Sequence, residues 1–471
     1  MINTMIFREN RTRLLPALGA FTAAALIAQD ASAQSILYTK QGAANDRLGA
    51  SVASAGDHNN DTAPDFVIGI PENFIIFTAG EGRATVYSGA NGSEIRSYLG
   101  DNLFDEFGAS VSGAGDVNND GTDDVIVGAP FVDNSGNLGA GMARVFSGTN
   151  GSPLYTFFGL ETGDQFGDSV SGAGDVNNDG FDDVIVGAEF HDNMGASDTG
   201  MARVYSGANG SVLYTVFGSS ANDLLGIAVS DAGDVNNDGF DDFIIGSANA
   251  GARVYSGQNG AVLHTFTAAS NDQYGRAVAS AGDVNNDGND DVIIGAPQDA
   301  ALSPGNGYAE VRSGADGSIL HSFMGSSVND RFGVSVAGAR DLNNDGFDDV
   351  IVGADQSING DGYIRAFSGQ DGSLLLNYTE NNPSTNIRLG TSVDGLGDVD
   401  SSGSLEVIVG APLDSAAAVG AGTARVISVG GGPVCPPPTN FISQRCVAII
   451  RNPEMEVAWT LTFSSLNFMR W

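Results

Sequence analysis

Asp116-Val117-Asn118-Asn119-Asp120-Gly121-Thr122-Asp123-Asp124 is a carboxylate-rich nonapeptide set between two apolar runs. Related stretches begin at Asp57, Asp175, Asp234, Asp283, Asp341 and Asp398, so the seven copies are spaced by 59, 59, 59, 49, 58 and 57 residues. Self-similarity at a fixed period has to be read before chain length, because 471 residues would otherwise suggest about three domains.

The residues around the second copy give the content of one repeat. Ser110–Gly115 alternates like a short strand, and Val125–Val127 is a β-branched run bounded by Gly128-Ala129-Pro130. Ala143–Phe146 and Leu154–Phe158 supply two more strands across Asn150-Gly151, a pair whose preference for positive φ predicts a two-residue type I′ hairpin. The same signal recurs at Asn91-Gly92, Asn209-Gly210, Asn259-Gly260, Asp316-Gly317 and Asp371-Gly372. The seventh repeat stops after Ala424–Val429, one strand short, whereas Ile36-Leu37-Tyr38-Thr39 near the start resembles the fourth-strand segments Leu154-Tyr155-Thr156 and Leu213-Tyr214-Thr215. The expected fold is therefore all-β, a seven-bladed β-propeller of four-stranded antiparallel blades over residues 34–429, with the last blade closed by the N-terminal strand. Closure of a ring also removes the exposed sheet edges that an open array would leave.

Composition narrows the function. A net charge of -37 with only 20 Lys and Arg argues against a nucleic-acid partner, which needs clustered cations. Of the 57 acidic residues, 21 fall at positions one, three, five and nine of the seven loops, three in each. Residues 1–33 read as a signal peptide: Arg8, Arg11 and Arg13 precede an apolar stretch from Leu14 to Ala28, and Ala31-Ser32-Ala33 offers a cleavage site. No later segment is apolar enough to span a membrane, so the expected location is secreted, extracellular or cell-surface, or the periplasm. Residues 430–471 form a linker and short tail in which Cys435 and Cys446 suggest one local disulfide.

Oxygen-bearing side chains at alternate positions, a glycine at six for the sharp turn and an acid at nine suit a hard cation with many oxygen ligands, and Ca2+ fits better than the stricter Mg2+. An Asp/Asn/Gly turn needs no metal, but turn chemistry does not place acids at both ends and the middle seven times over. The expected ligands of the second loop are Asp116, Asn118, Asp120, the Thr122 carbonyl and Asp124. The equivalents are Asp175, Asn177, Asp179, Phe181 and Asp183; Asp234, Asn236, Asp238, Phe240 and Asp242; Asp283, Asn285, Asp287, Asn289 and Asp291; and Asp341, Asn343, Asp345, Phe347 and Asp349. These five loops are complete. The first keeps Asp57, Asn59, Asp61 and Asp65 but has Thr62 at the turn and Pro64 beside the closing acid; the seventh has Asp398, Asp400, Ser402 and Glu406.

Phe107-Gly108 with Gly128-Ala129-Pro130, and Phe166-Gly167, Phe332-Gly333, Gly295-Ala296-Pro297 and Gly410-Ala411-Pro412, resemble the FG-GAP repeats of the integrin α-subunit N-terminal β-propeller and related bacterial secreted proteins. Leu225-Gly226 and Gly246-Ser247-Ala248 depart from that signature. The resemblance implies calcium between the first and second strands on one face and a partner on the other, where the loops 73–80, 132–139, 190–199 and 299–306 would lie. The function expected is a calcium-binding, adhesion-type module for an extracellular protein or glycan. The alternatives are a propeller-based extracellular hydrolase or lyase, or a purely structural envelope protein. An enzyme is not favoured, since the sequence has no Gly-x-Ser-x-Gly elbow and its four histidines share no zinc-site spacing.

Overall fold

The computed structural model describes residues 34–71, 80–268, 272–298, 305–356, 360–380 and 386–430. The expected signal peptide, the 431–471 tail with its two cysteines, most of the 73–80 loop and residues 299–304 lie outside them. Seven four-stranded antiparallel sheets follow one another along the chain as blades 1 to 7. Blade 2 is representative: its strands are Ser110–Gly115, Asp124–Ala129, Met142–Phe146 and Pro153–Phe158, hydrogen-bonded in that order from the centre outward.

Blade 7 is assembled from both ends of the chain. Its outermost strand is Ser35–Gln41, which pairs antiparallel with Thr423–Val429 from Ser35↔Ser428 to Gln41↔Thr423. The innermost strands of blades 1 and 7 also meet, through Ser54 N donating to Asp394 Oδ2 (2.8 Å) and Val52 N to Ser392 Oγ (3.0 Å). The ring is closed twice, at its rim and at its axis.

The apolar core lies between blades rather than within them. The second strand of blade 2 is buried along its whole length because its two faces serve different neighbours. Val125 and Val127 pack with Val67 and Val86 of blade 1, while Ile126 packs with Val184 and Val186 of blade 3. Seven such clusters fill the seven junctions, including Phe66, Ile68, Leu396 and Ile408 between blades 7 and 1. A strand buried on both faces reads as a continuous apolar run instead of an alternating one, which is what the sequence shows there.

The Phe-Gly and Gly-Ala-Pro elements fit together across these junctions. Phe107, Phe166 and Phe332 are fully buried, and Gly141 bridges to Phe166 of the next blade. A Cβ on Gly128 would fall 1.9 Å from the carbonyl of Gly167, so the neighbouring blade's backbone fills the space of a side chain. In the divergent fourth repeat Leu225 is 2% exposed and bridges to Gly200 in the same way.

The hairpins between third and fourth strands are not the two-residue turns expected. Pairing in blade 2 ends at Phe146↔Pro153, which leaves a six-residue connection closed by Ser147 N donating to Ser152 O (3.0 Å) and Gly151 N to Ser147 O (2.7 Å). Gly151 has φ +74°, but Asn150 is not left-handed; its Oδ1 accepts from Ser152 N at 2.7 Å. Asn or Asp is selected here as a side-chain acceptor, and the wide loop lets Gly148 N reach the acidic loop alongside.

Removal of residues 34–41 takes away the rim closure and the partly buried Leu37 and Tyr38, which contribute about 2–4 kcal/mol. The expected result is one cooperative melt of the whole ring at a lower temperature, restored by adding the excised strand as a peptide. A deletant that melts like the parent would show that this strand does not close the ring.

Candidate metal centres

Each acidic loop joins the first and second strands of its blade and, in blades 1 to 6, shares a face with the third-to-fourth-strand hairpin. The first acid fixes the turn: Asp116 Oδ1 accepts from Asp120 N (2.9 Å) and Oδ2 from Gly121 N (2.8 Å). All seven copies repeat this pair of bonds at 2.8–2.9 Å, including Asp57 with Asp61 and Thr62, and Asp398 with Ser402 and Gly403. Thr62 reaches the turn geometry only at φ +74°, a strained conformation for a β-branched residue.

The closing acid ties the loop to the hairpin. Asp124 Oδ1 accepts from Gly148 N (2.9 Å), Oδ2 accepts from Val117 N (3.1 Å), and the Asn118 amide donates to Oδ2 at 3.2 Å. Blade 7 has no such hairpin, and Glu406 Oε1 is left buried without a donor. Asn59 Oδ1 and Asp65 Oδ2 in the first loop, and Asn285 Oδ1 in the fifth, are orphaned likewise. In the seventh loop carboxylate oxygens of Asp398, Asp400 and Glu406 lie within 4.8 Å of one another. Orphaned oxygens and converging carboxylates are a donor set that fits a hard divalent cation.

Burial has an electrostatic cost. Asp65, Asp124, Asp183, Asp242, Asp291, Asp349 and Glu406 are each pushed up to about 7, mainly by desolvation and further by two other acids of the same loop, at positions one and five in the first six loops and at one and three, Asp398 and Asp400, in the seventh. Hydrogen bonds from the backbone oppose the shift without cancelling it.

Position eight was not singled out from sequence, and it is what joins one loop to the next. Asp123 Oδ2 accepts from Asp57 N at 2.7 Å, and Asp182, Asp241, Asp290 and Asp348 repeat this with Asp116, Asp175, Asp234 and Asp283 of the preceding blade at 2.7–3.1 Å. The glycine just before each first acid makes room: a Cβ on Gly115, itself at φ +70°, would lie 2.1 Å from Asp182 Oδ2. At the junction of blades 6 and 7 both partners differ together, with Arg340 in place of the glycine and Leu405 in place of the acid. A second link runs from the position-four Asn, as Asn119 Nδ2 donates to Gly180 O at 2.9 Å. Position two is Val or Leu in six loops and His58 in the first. His58 is fully buried and pushed down to about 4 by desolvation, with contacts to Asp123 O (2.8 Å) and Tyr98 Oη (3.1 Å).

Known proteins show the same repeat. The FG-GAP repeat family matches residues 107–146, 166–205, 274–311 and 332–367, which fall in blades 2, 3, 5 and 6. Integrin alpha-5 of Xenopus laevis is 31% identical over 216 residues, 42% of this chain and 20% of that protein. Integrin alpha-V of Gallus gallus is 28% identical over 214 residues (42% and 20%), and integrin alpha-2 of Bos taurus 29% identical over 268 residues (51% and 22%). The chain spans about a fifth of the length of these curated relatives.

Two outcomes follow from the loop geometry. Asp182→Ala strands the Asp116 N–H and is expected to cost about 1–3 kcal/mol in denaturant unfolding. Gly115→Ala should cost less in that background than in the parent, and strict additivity in the double-mutant cycle would show that the two do not interact.

The second outcome concerns pH in the metal-free protein. The closing acids have folded pKa values above their unfolded ones, so they bind protons more tightly when folded. Their contribution is full below about 4 and is lost as pH rises toward about 7. His58, with a lowered folded pKa, acts oppositely between about 4 and 6.5, but one histidine opposes seven acids. Melting temperature in chelator should fall from pH 5 to pH 7.5, and a flat or rising profile would contradict the burial-driven shifts. The chain is a seven-bladed β-propeller in which blades 2, 3, 5 and 6 match the FG-GAP repeat, and part of it is similar to integrin alpha subunits.

Proposed function

We propose that the chain is an extracellular binding module whose acidic loops take Ca2+ and whose opposite face presents loops to a protein or glycan. The observation that carries the calcium reading is the set of buried oxygens without donors, Asn59 Oδ1, Asp65 Oδ2, Asn285 Oδ1 and Glu406 Oε1, all of them at expected ligand positions. An unpaired polar oxygen in a dry site is unfavourable, and a cation resolves several at once. Position one, three, five and nine side chains would supply oxygens with the carbonyl at position seven, as in Asp116, Asn118, Asp120, Thr122 and Asp124. The Asn118 amide that donates to Asp124 would turn over to present its oxygen.

The first and seventh loops keep the same turn, so the proposal extends to them, with weaker binding where Thr62 is strained and Ser402 replaces an acid. Export fits this chemistry, because extracellular calcium is concentrated enough to fill modest sites. The ligand reading rests on topology and likeness. The loops between second and third strands, and those between blades, lie opposite the acidic loops, and their lengths vary from blade to blade while the acidic loops are uniform. Similarity to integrin alpha subunits supports an adhesion-type role and a non-enzymatic one.

Chelation is expected to lower the melting temperature, and added Ca2+ to restore it, by mass action on an ion held only by the folded state. Asp116→Asn with Asp124→Asn should remove one bound calcium per chain in metal analysis. A melt indifferent to chelator would refute the calcium reading. Retention of a defined partner from glycan and extracellular-protein arrays is expected with Ca2+ present, and turnover of an arrayed polymer would favour the enzyme alternative instead.

A further inference from the structure

The face opposite the acidic loops carries a polar cluster of a different kind on blade 3. The loop entering that blade and the loop between its second and third strands bring Glu161, Asp164 and His191 together, with one ligand atom of each within 4.8 Å of the others. Asp164 is 1% exposed and His191 6%, while Glu161 stands in solvent.

Asp164 occupies a repeated position two residues before the Phe-Gly pair, where an acid caps the incoming loop. Its Oδ2 accepts from Leu160 N (3.1 Å) and Glu161 N (2.9 Å). The corresponding Asp46 turns its carboxylate to Arg83 (2.6 Å), and Asp330 takes the Tyr363 hydroxyl (2.7 Å). In blade 3 the inward group is an imidazole: His191 Nδ1 lies 3.2 Å from Asp164 Oδ1. That is longer than the roughly 2.7–2.9 Å of a charge-assisted hydrogen bond. It lies at the long end of an ordinary N–H···O hydrogen bond and also within the separation of adjacent ligands around a cation with bonds near 2.1 Å, about 3.0 Å in an octahedron and about 3.4 Å in a tetrahedron.

Both buried ligands are held in place. The His191 ring packs on Phe217 with centroids 5.6 Å apart, while the residue's backbone N–H donates to Ala188 O (3.2 Å) and its backbone carbonyl accepts from Thr199 Oγ1 and Gly200 N, each at 3.0 Å. Glu161 is free to close over an ion. One imidazole nitrogen with two carboxylates is a donor set for zinc-class cations, unlike the all-oxygen loops on the other face.

We propose that Glu161, Asp164 and His191 bind a transition divalent cation of the zinc class, separately from calcium, with the remaining positions open to water. The test is isothermal titration of the full-length, untagged, calcium-saturated protein with Zn2+, repeated for His191→Ala, Glu161→Gln and Asp120→Asn. The expected result is a zinc site that His191→Ala abolishes, Glu161→Gln weakens by roughly tenfold or more, and Asp120→Asn leaves unchanged. Glu161 is exposed, so its variant stays folded even if the histidine variant does not. Absence of zinc binding, or binding that survives both Glu161→Gln and His191→Ala unaltered, would overturn the proposal and leave Asp164 and His191 as a hydrogen-bonded cap.

Discussion

Seven carboxylates, those of Asp65, Asp124, Asp183, Asp242, Asp291, Asp349 and Glu406, are removed entirely from solvent, and the rest of the molecule is organised around them. In blade 2 the Asp124 oxygens take one amide from the loop's own second residue and another from the hairpin glycine, so one side chain sets the first-to-second-strand turn and the third-to-fourth-strand turn together. The acid just before it reaches the preceding blade, since Asp123 holds Asp57 N. Two adjacent residues thus fix the loop, the hairpin and the angle to the next blade. Anions so placed repel one another, and self-repulsion within a compact ring is what bound cations would relieve.

The sequence makes blade number, strand order and closure legible because each rests on a local signal repeated seven times. The missing last strand and its copy at Ile36–Thr39 are visible without any knowledge of contacts. Two features were not legible in the same way. Asn-Gly pairs suggest the commonest two-residue turn, yet the backbone takes a six-residue path because Gly148 must meet Asp124, a demand from a segment more than 20 residues away. The pair of acids ending each loop looks like redundant metal ligation, and nothing local says that the first of the pair faces a different blade. The signal that could have revealed it is the joint change to Arg340 and Leu405, since a glycine and an acid lost together at one junction imply contact between them.

The two faces differ in what constrains them. On the acidic-loop face, variation at positions one, three, five, six and nine is confined to the first and seventh copies. On the opposite face the Pro of Gly-Ala-Pro is retained at Pro130, Pro297 and Pro412 but becomes Glu189 in blade 3 and Asp355 in blade 6. Asp355 is answered locally by Arg331 at 2.9 Å. Glu189 instead pairs with Arg276 of blade 5, 4.0 Å away.

That contact crosses blade 4, which joins Asp242–Ser247 to Gly251–Tyr255 through three residues only. Burial and the neighbouring Asp168 push Glu189 up to about 7, opposed by Arg276, so groups on blades 3 and 5 are electrostatically linked across blade 4. The irregular spacing of 49 residues, an apparent defect in the repeat, thus coincides with the place where non-adjacent blades interact, on the face opposite the acidic loops.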